Sequence, residues 1–384
     1  MNKPSLAPRF LYIFCIAYLV TLYTGGTNAL PYLSIGMISL GLIFGMSSAS
    51  GKSNAGIILV LGLISILAAL NSIISTNPSD TSIKWVLWIV TLFGMFSMAQ
   101  RSGPSVDEAL CKNTAPAFFI IWTVFAIKGN AFYASAKEST VTLHLSAFYA
   151  NLLICSGLFV PNKFYRLTFV VLGTIGALTS GSRAAFLFLP LVFVPGIVYY
   201  YRVKFSSVLL FLVFIGGLFL VLENPALNAL TFGRKGEEIT SIDSMDLAQR
   251  SADGRAELRE IGMGYILDRP WGYGYGQSIE VRLDGQSLGN NLHNGFLNVA
   301  TQMGVHIFLI YMSVVSWIYF KLMTCERISR RSRFFTLSIL TCVFLRAISE
   351  SFSLFDLGHP AAFFCLFLIS LFFIRYQNPQ RQFS

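Results

Sequence analysis

The sequence predicts an all-α polytopic membrane protein with about 12 transmembrane helices and one long extramembrane loop that contains short helices. Hydrophobic residues make up 54% of the 384 residues, and charged residues make up only 12%. A soluble domain carries about twice that share of charge. Most of the chain therefore needs an apolar solvent, and its length suffices for about a dozen spans of roughly 20 residues each.

Twelve apolar runs, each interrupted by Gly, Pro, Asn or charged residues, are predicted to cross the bilayer. They cover residues 10–24, 30–46, 55–74, 83–99, 115–127, 143–160, 164–180, 184–200, 206–222, 294–320, 334–349 and 354–374. The first nine spans form an N-terminal membrane region, residues 1–222. The last three form a C-terminal one, residues 293–384, and residues 223–292 form a large loop between the two regions.

The distribution of basic residues supports this count of spans. If the N-terminus is cytoplasmic and the spans alternate, the inside segments hold sixteen Lys and Arg, whereas the short outside segments hold five. Positive-inside sorting predicts such a bias, and both termini are then cytoplasmic. The net charge of +10 is accordingly a topology signal. It does not indicate nucleic-acid binding, because the basic residues form no stripe on a soluble domain.

The seventy-residue loop lies outside by the same alternation, and it contains an arginine pair. Residues 251–267 are predicted to form a short amphipathic helix that ends before Pro270. Arg255 and Arg259 are four residues apart, so both project from one face of that helix. Two interpretations remain open. The arginines pair with neighbouring glutamates on a surface helix, or they grip a phosphate through forked hydrogen bonds.

Residues 269–277, Arg-Pro-Trp-Gly-Tyr-Gly-Tyr-Gly-Gln, form a segment that we call the glycine–aromatic turn. Its glycines allow the backbone to approach a ligand, and its rings offer flat faces on which sugars stack. The candidate substrate-binding residues are Arg269, Trp271, Tyr273 and Tyr275. A tight structural turn at the membrane surface is the alternative, and a dinucleotide site is not indicated because no strand–turn–helix context surrounds the glycines.

His293 stands where this polar loop turns into an apolar run. It is predicted to open a helix of about 28 residues, roughly 42 Å long, which exceeds the bilayer core. A polar stripe at spacings of four follows it: Asn294, Asn298, Gln302 and His306. Polar groups in a span normally face the bundle interior or a wet cavity. We interpret His293 as a functional residue and Asn294 as a substrate contact, whereas His306 is predicted to be packed and hydrogen-bonded.

Two further charged positions lie near the predicted outer surface. Arg183 stands between two apolar runs on the same side as His293, where an arginine is costly unless it is paired or solvated. It either serves the reaction or extends its side chain to the headgroups. Arg346 and Glu350, four residues apart, either neutralise each other or take part in chemistry.

The six cysteines are scattered through apolar runs without a CxxC pair, which predicts small apolar packing residues and neither a metal site nor a disulfide frame. The chain also has no Asp-x-Asp metal motif, no Gly-rich nucleotide loop and no Gly-x-Ser-x-Gly elbow. A nucleotide-sugar or ATP-driven reaction is therefore not expected. The donor should carry its own activation, and neither a cofactor nor a metal is predicted.

Three ordered pieces of the sequence resemble the bacterial O-antigen ligase and polymerase family: Ser-Gly-Ser-Arg183-Ala, then Gly-Arg255 through the glycine–aromatic turn, then Leu-His293-Asn-Gly-Phe-Leu. They span roughly residues 175–310. The resemblance implies inverting, metal-independent glycosyl transfer from an undecaprenyl-diphosphate-linked glycan at the outer face of the bacterial inner membrane. Carried over to this chain, it implies that Arg183 and Arg255 hold the diphosphate and that His293 assists the acceptor hydroxyl. The active site would then be periplasmic.

Two functional hypotheses follow from the resemblance, and a transporter is an alternative of a different class. The preferred one is polymerisation of surface-polysaccharide repeat units. The close alternative is ligation of the glycan onto lipid A–core, and a flippase or transporter of polysaccharide lipids is a third. The expected partners are a lipid-diphosphate-linked oligosaccharide or polysaccharide, an acceptor glycan or lipid A–core, and the bilayer. No nucleic-acid partner is expected.

Overall fold

The computed structural model describes most of the chain between residues 55 and 377. The described residues are 55–102, 106–131, 138–180, 183–201, 258–277, 281–283, 286–289, 292, 294–326, 328–350, 352–355 and 360–377. The predicted spans at 10–24, 30–46 and 206–222 lie outside these residues, as do Arg255 and His293.

The described residues are helical apart from one short β pair and the turns between elements. The elements, in chain order, are α1 (Ala55–Ile73), α2 (Pro78–Arg101), α3 (Val106–Ala131), α4 (Glu138–Gly157), α5 (Lys163–Thr179), α6 (Arg183–Tyr201), α7 (258–268), β1 (Val281–Leu283), β2 (Gln286–Gly289), α8 (Gly295–Met303), α9 (Val305–Thr324), α10 (Arg330–Ser349) and α11 (Pro360–Gln377). Strands β1 and β2 pair in antiparallel fashion. The long loop, predicted to contain helices, thus also contains a hairpin.

Helices of membrane-spanning length and hydropathy are present, as the sequence predicts. Within the described ranges three helices are long and apolar enough to cross a bilayer: Pro78–Gln100, Val106–Ile127 and Val305–Thr324. Shorter apolar helical segments stand at Gly62–Ile73, Leu145–Gly157, Phe188–Tyr201 and Ala361–Tyr376. The helical membrane character is confirmed, whereas the count of twelve spans stays a prediction.

The single helix predicted to start at His293 and run to residue 320 is wrong. The chain forms a nine-residue helix, α8, and a twenty-residue helix, α9, separated by Gly304. Gly304 has φ +89°, in the region that side chains rarely adopt, and the Val305 amide donates to the Pro270 carbonyl at 2.9 Å. The apolar pattern continues through the break, so hydropathy could not locate it.

The described chain divides into two compact units, and the first contains α1, α2, α7, α8, α9 and α11. Helices α2 and α11 run in the same direction: Phe355 packs on Trp88 at one end (5.0 Å between centroids), and Phe96 meets Phe373 towards the other (6.3 Å). Near the C-terminal end of α11, Arg375 forms a salt bridge with Asp107. Helices α2 and α11 are therefore parallel.

The second unit contains α4, α5 and α6 with most of α3 and α10, and polar side chains bond its helix ends at one side. Helices α4 and α5 form a hairpin, and Asn162 caps the first turn of α5 (Oδ1 to the Phe164 amide, 2.9 Å). At that end of the unit Arg331 donates to the Phe159 carbonyl, and Arg330 donates to the Val198 carbonyl at 2.9 Å. Arg330 thus satisfies one of the last carbonyls of α6, and Arg331 satisfies a carbonyl in the turn between α4 and α5.

Candidate functional site

The glycine–aromatic turn lies in the first unit between two parts of the chain. On one side stands the junction of α1 and α2, and on the other stands the break between α8 and α9. The Tyr273 carbonyl accepts hydrogen bonds from the Thr76 amide (2.9 Å) and from the Ser75 hydroxyl (3.1 Å). The Tyr273 amide donates in turn to the Thr301 carbonyl at 3.0 Å. Through its own amide and carbonyl groups, Tyr273 thereby joins two segments that are far apart in the sequence.

The glycines of the turn are required by conformation and by space. Gly272, Gly274 and Gly276 all have positive φ angles, and that of Gly274 is +115°. A Cβ on Gly274 would overlap the Ser75 hydroxyl and lie 2.6 Å from the Thr81 hydroxyl. Only glycine adopts this conformation without strain and without displacing those side chains.

The turn also satisfies the end of α8. A helix leaves its last four carbonyls without partners inside the helix, and in a membrane an unsatisfied carbonyl is costly. Here the Ala300 carbonyl accepts from the Gly304 amide (2.9 Å) and the Thr301 carbonyl accepts from Tyr273. The Gln302 carbonyl accepts from the Gly274 amide at 2.7 Å, and the Met303 carbonyl accepts from the Asn71 side chain at 3.3 Å. The break is therefore built with every freed carbonyl paired.

A polar cluster secures the other edge of the turn. The Lys84 ammonium lies 2.6 Å from the Asp80 carboxylate and donates to the Gly276 carbonyl, also at 2.6 Å. The Gln277 amide donates to Asp80 at 2.9 Å and to the Thr81 hydroxyl at 3.0 Å. Because these groups are partly exposed, the ion pair adds little stability by itself. Its geometric effect is to tie the end of the turn to α2.

The predicted substrate-binding aromatic residues have different surroundings. Tyr275 is buried, donates its hydroxyl to the Phe355 carbonyl and packs against Trp85, with 5.0 Å between centroids. Trp271 is 63% exposed and packs one side against the His306 ring at 5.3 Å. Trp271 is thus the member of the pair with a face open to a ligand.

Arg269 and Tyr273 form a small group at the start of the turn. The Arg269 guanidinium donates to the Ile74 carbonyl and lies 5.4 Å from the centre of the Tyr273 ring. The Tyr273 hydroxyl donates to Asp268 at 3.3 Å. Partial burial and the neighbouring Asp268 carboxylate raise the pKa of Tyr273 above its usual value, so the phenol stays neutral. Arg269 thereby helps to hold the turn against the end of α1.

The start of α8 fixes both neighbours of His293. Asn294 caps the helix by accepting from the Phe296 and Leu297 amides, each at 3.0 Å, and its amide donates to the Ile348 carbonyl at 3.3 Å. Gly295 allows α8 to touch the backbone at Phe352, because a Cβ there would overlap the Phe352 carbonyl. On the other side of His293, Leu292 is only 3% exposed.

Leu292 also contacts α7, the helix that carries Arg259. A Cβ on Gly262 of α7 would lie 3.2 Å from a Leu292 methyl, so α7 and residue 292 are in contact. Arg259 stands three residues before Gly262 and therefore lies on the same face of α7. The structure brings the helix face that bears Arg259 to the residue preceding His293.

The three residues predicted to carry the chemistry are only partly described. Arg183 is the first residue of α6, and its side chain lies outside the described part of the chain. Arg255 and His293 lie entirely outside it. Their convergence on one pocket stays a prediction.

The remaining candidates are placed as follows. His306 is packed against Trp271 as expected, and its Nδ1 atom has no hydrogen-bond partner among the described residues. The Arg346 guanidinium lies 5.7 Å from the centre of the Phe148 ring. Within the described ranges no group of three or more His, Cys, Asp or Glu is arranged to hold a metal ion.

Asn71 is a further polar residue at the turn, one that the motifs of the sequence do not single out. It belongs to the predicted span 55–74, and its side chain is fully buried at the edge of the turn. A polar residue inside an apolar run was the available signal, because such residues normally have a specific partner.

Comparison with known protein families identifies the central part of the chain. Residues 168–312 match the family model described as O-antigen ligase. The match confirms the resemblance to the O-antigen ligase and polymerase family, and it includes α7, the glycine–aromatic turn and α8. The family implies a glycosyl-transfer enzyme that acts on lipid-linked glycans in a membrane. The family and the apolar helices together suggest a bacterial inner-membrane protein. Comparison with curated proteins gives no match, and comparison with solved structures gives none either.

Proposed function

We propose that this protein transfers a glycan from undecaprenyl diphosphate to a sugar hydroxyl at the periplasmic face, and that it polymerises surface-polysaccharide repeat units. The observation that carries the proposal is the family match over residues 168–312, which contains every loop element around His293. The anchored neighbours of His293, Leu292 and Asn294, support it further, because a proton acceptor must be held in a defined position to act.

The proposed reaction is a single displacement with inversion. The acceptor oxygen attacks the anomeric carbon, the bond from that carbon to the phosphate oxygen breaks, and His293 takes the acceptor proton. A histidine with an ordinary pKa of about 6.5 can do so at neutral pH. Arg183 and Arg255 neutralise the charge that develops on the diphosphate leaving group, so that no metal is required in this scheme.

The described residues add a proposed division of roles around these three. Trp271, exposed beside α9, offers its face to a sugar ring, and Arg259 lies on the α7 face that reaches Leu292. Asn294 acts by capping α8 next to His293. Arg269, Tyr273 and Tyr275, which the sequence predicts as substrate contacts, are bonded to protein groups, and we propose that they hold the turn.

The test is transfer by the purified protein in detergent with a lipid-diphosphate-linked repeat unit as both donor and acceptor. We expect longer glycans on the lipid, formed through new glycosidic bonds. His293→Ala and Arg255→Ala should abolish transfer while the protein still inserts and accumulates. Matched controls are His144→Ala and Arg166→Ala, which remove the same residue types from α4 and α5. A well-folded His293→Ala variant with wild-type turnover would remove that residue from the mechanism.

Ligation of the glycan onto lipid A–core is the second candidate, because the matched family is described as O-antigen ligase. Lipopolysaccharide from a deletion strain separates the two reactions. Loss of a polymerase leaves lipid A–core capped with a single repeat unit. Loss of a ligase leaves polymer on the lipid carrier.

Transport of the lipid-linked glycan is the remaining alternative. Purified protein in vesicles that moves the glycan lipid across the bilayer without forming any new glycosidic bond would replace the enzyme proposal with a transporter.

A further inference from the structure

We infer that Asn71 is a positioning residue for the transfer reaction: it holds the C-terminal end of α8 and thereby sets the place of the residues at the start of that helix, including His293. The inference rests on the proposed function for the role of His293. The contacts of Asn71 do not depend on the proposed function.

The Asn71 side chain makes four hydrogen bonds, which use both of its lone pairs and both of its N–H groups. Its Oδ1 accepts from the Trp85 indole and from the Tyr275 amide, each at 3.0 Å. Its Nδ2 donates to the Gln302 and Met303 carbonyls, each at 3.3 Å. One side chain therefore joins α1, α2, the glycine–aromatic turn and the end of α8.

Burial makes this network demanding. Asn71 is fully buried, and a buried polar group without its partner costs about 1–3 kcal/mol. A hydrophobic residue at position 71 would leave the Met303 carbonyl without its described partner and remove one of two donors to Gln302. The end of α8 would then lose its direct hydrogen bonds to α1 and would be held only through the glycine–aromatic turn, so that the helix shifts along its axis.

Helix α8 transmits such a shift because it is short. It has nine residues, or about 14 Å at 1.5 Å per residue, and a helix of two to three turns moves as one body. Asn294 caps its first turn, and His293 directly precedes Asn294 in the chain. A displacement of about 1 Å in a reacting group can lower a rate by roughly a hundredfold.

Asn71→Asp is the informative variant, because it keeps both acceptor contacts and replaces the donating amide with a carboxylate oxygen. Ionised, that oxygen repels the Gln302 and Met303 carbonyls; protonated, it donates to one of them. Burial raises the pKa of a carboxyl group. The charged side chains bonded to the neighbouring segments are Lys84, at the Gly276 carbonyl, Asp80, at the Gln277 side chain, and Arg269, at the Ile74 carbonyl.

The expected kinetic result is a fall in kcat of roughly tenfold to a hundredfold, with the KM for the lipid-linked donor within about twofold of wild type. The ratio of the Asn71→Asp kcat to the wild-type kcat should fall as the pH rises through the pKa of the introduced carboxyl. Asn71→Ser, which has a single hydroxyl and no titrating group, should lose activity by a ratio that does not change with pH. Ser72→Ala is the matched control, because the Ser72 hydroxyl donates to Ala68 within its own helix.

Hydrogen exchange supplies a second measurement that needs no activity. In Asn71→Ser, amides of residues 295–303 should exchange faster than in the wild type, while those of residues 308–324 should not change. If Asn71→Ser keeps wild-type kcat, or if its kcat loss comes with an equal rise in KM, the positioning role is overturned.

The proposed function fails differently. A wild-type protein without transferase activity would overturn the proposed reaction and the catalytic part of this inference, yet the exchange result would still decide whether Asn71 holds α8.

Discussion

Glycine serves opposite purposes in the two units of this protein. In the glycine–aromatic turn of the first unit, glycines with positive φ bring backbone next to polar atoms, such as the hydroxyls of Ser75 and Thr81 near Gly274. In α5 of the second unit, helical glycines bring the backbone close to a neighbouring helix, with Gly173 against the Ile154 side chain and the Ala150 carbonyl, and Gly176 against the Trp122 side chain. The first use positions hydrogen bonds, and the second allows helices to approach closely.

The turn and α5 should differ in how well they tolerate a substitution. Packing between apolar side chains yields gradually, because a neighbouring rotamer or helix can move by a few tenths of an ångström. A network of buried hydrogen bonds yields abruptly, because each lost partner leaves an unsatisfied group. We therefore expect the turn to be the less tolerant region, in keeping with its place beside the proposed reactive residues.

The largest expected effect is that of Gly274→Ala. Alanine would have to adopt the φ angle of +115° that Gly274 has, and its methyl group would overlap the Ser75 hydroxyl. Strain of about 1–3 kcal/mol, together with the broken contacts, predicts a loss in the free energy of unfolding of about 3 kcal/mol or more. Thermal unfolding of the purified protein in detergent measures it.

Gly264→Ala is the control for that substitution. Gly264 lies in α7 on an exposed face, and no described heavy atom lies within 4 Å of an added Cβ. Because alanine favours the helix over glycine by about 1 kcal/mol, this variant should be unchanged or slightly more stable. Equal destabilisation by both substitutions would contradict the distinction drawn between the turn and a plain helical glycine.

A smaller effect is expected for Gly173→Ala in the second unit. The added methyl would lie 2.7 Å from Ile154 Cγ1 and 2.8 Å from the Ala150 carbonyl, and the backbone atom cannot move aside as a side chain can. Overpacking costs about 1–3 kcal/mol, and the better helix propensity of alanine offsets about 1 kcal/mol of it. The net loss should be about 1–2 kcal/mol in thermal unfolding. A loss as large as that of Gly274→Ala would show that the two glycine uses are equally strict.

The sequence predicted that the described chain is largely apolar helix, but it did not predict the contacts that hold α1, α2 and α8 together at the turn of the first unit. Hydropathy located the apolar runs that lie within α2 and α3, because a helix that crosses a bilayer needs a long stretch of apolar side chains. The break at Gly304 could not be predicted in this way, since its partners, Tyr273, Gly274 and Asn71, come from distant segments. Tyr275 and Trp271 share one alternating pattern, yet one is buried and the other exposed. Local sequence does not encode which ring finds a protein partner.

The last prediction concerns that pair of rings and has the smallest expected effect. Trp271→Ala should change the free energy of unfolding by less than about 0.5 kcal/mol, because the side chain is largely exposed. If a sugar stacks on the indole, the contact contributes about 1 kcal/mol, so the KM for the acceptor glycan should rise roughly fivefold. Tyr275→Phe should do the reverse: it removes the hydrogen bond to the Phe355 carbonyl, lowers stability by about 1–2 kcal/mol and leaves the KM unchanged. Transfer kinetics and thermal unfolding of both variants place each ring with the substrate or with the fold. An unchanged KM in Trp271→Ala would assign the indole to the lipid headgroup region, where exposed tryptophans commonly lie.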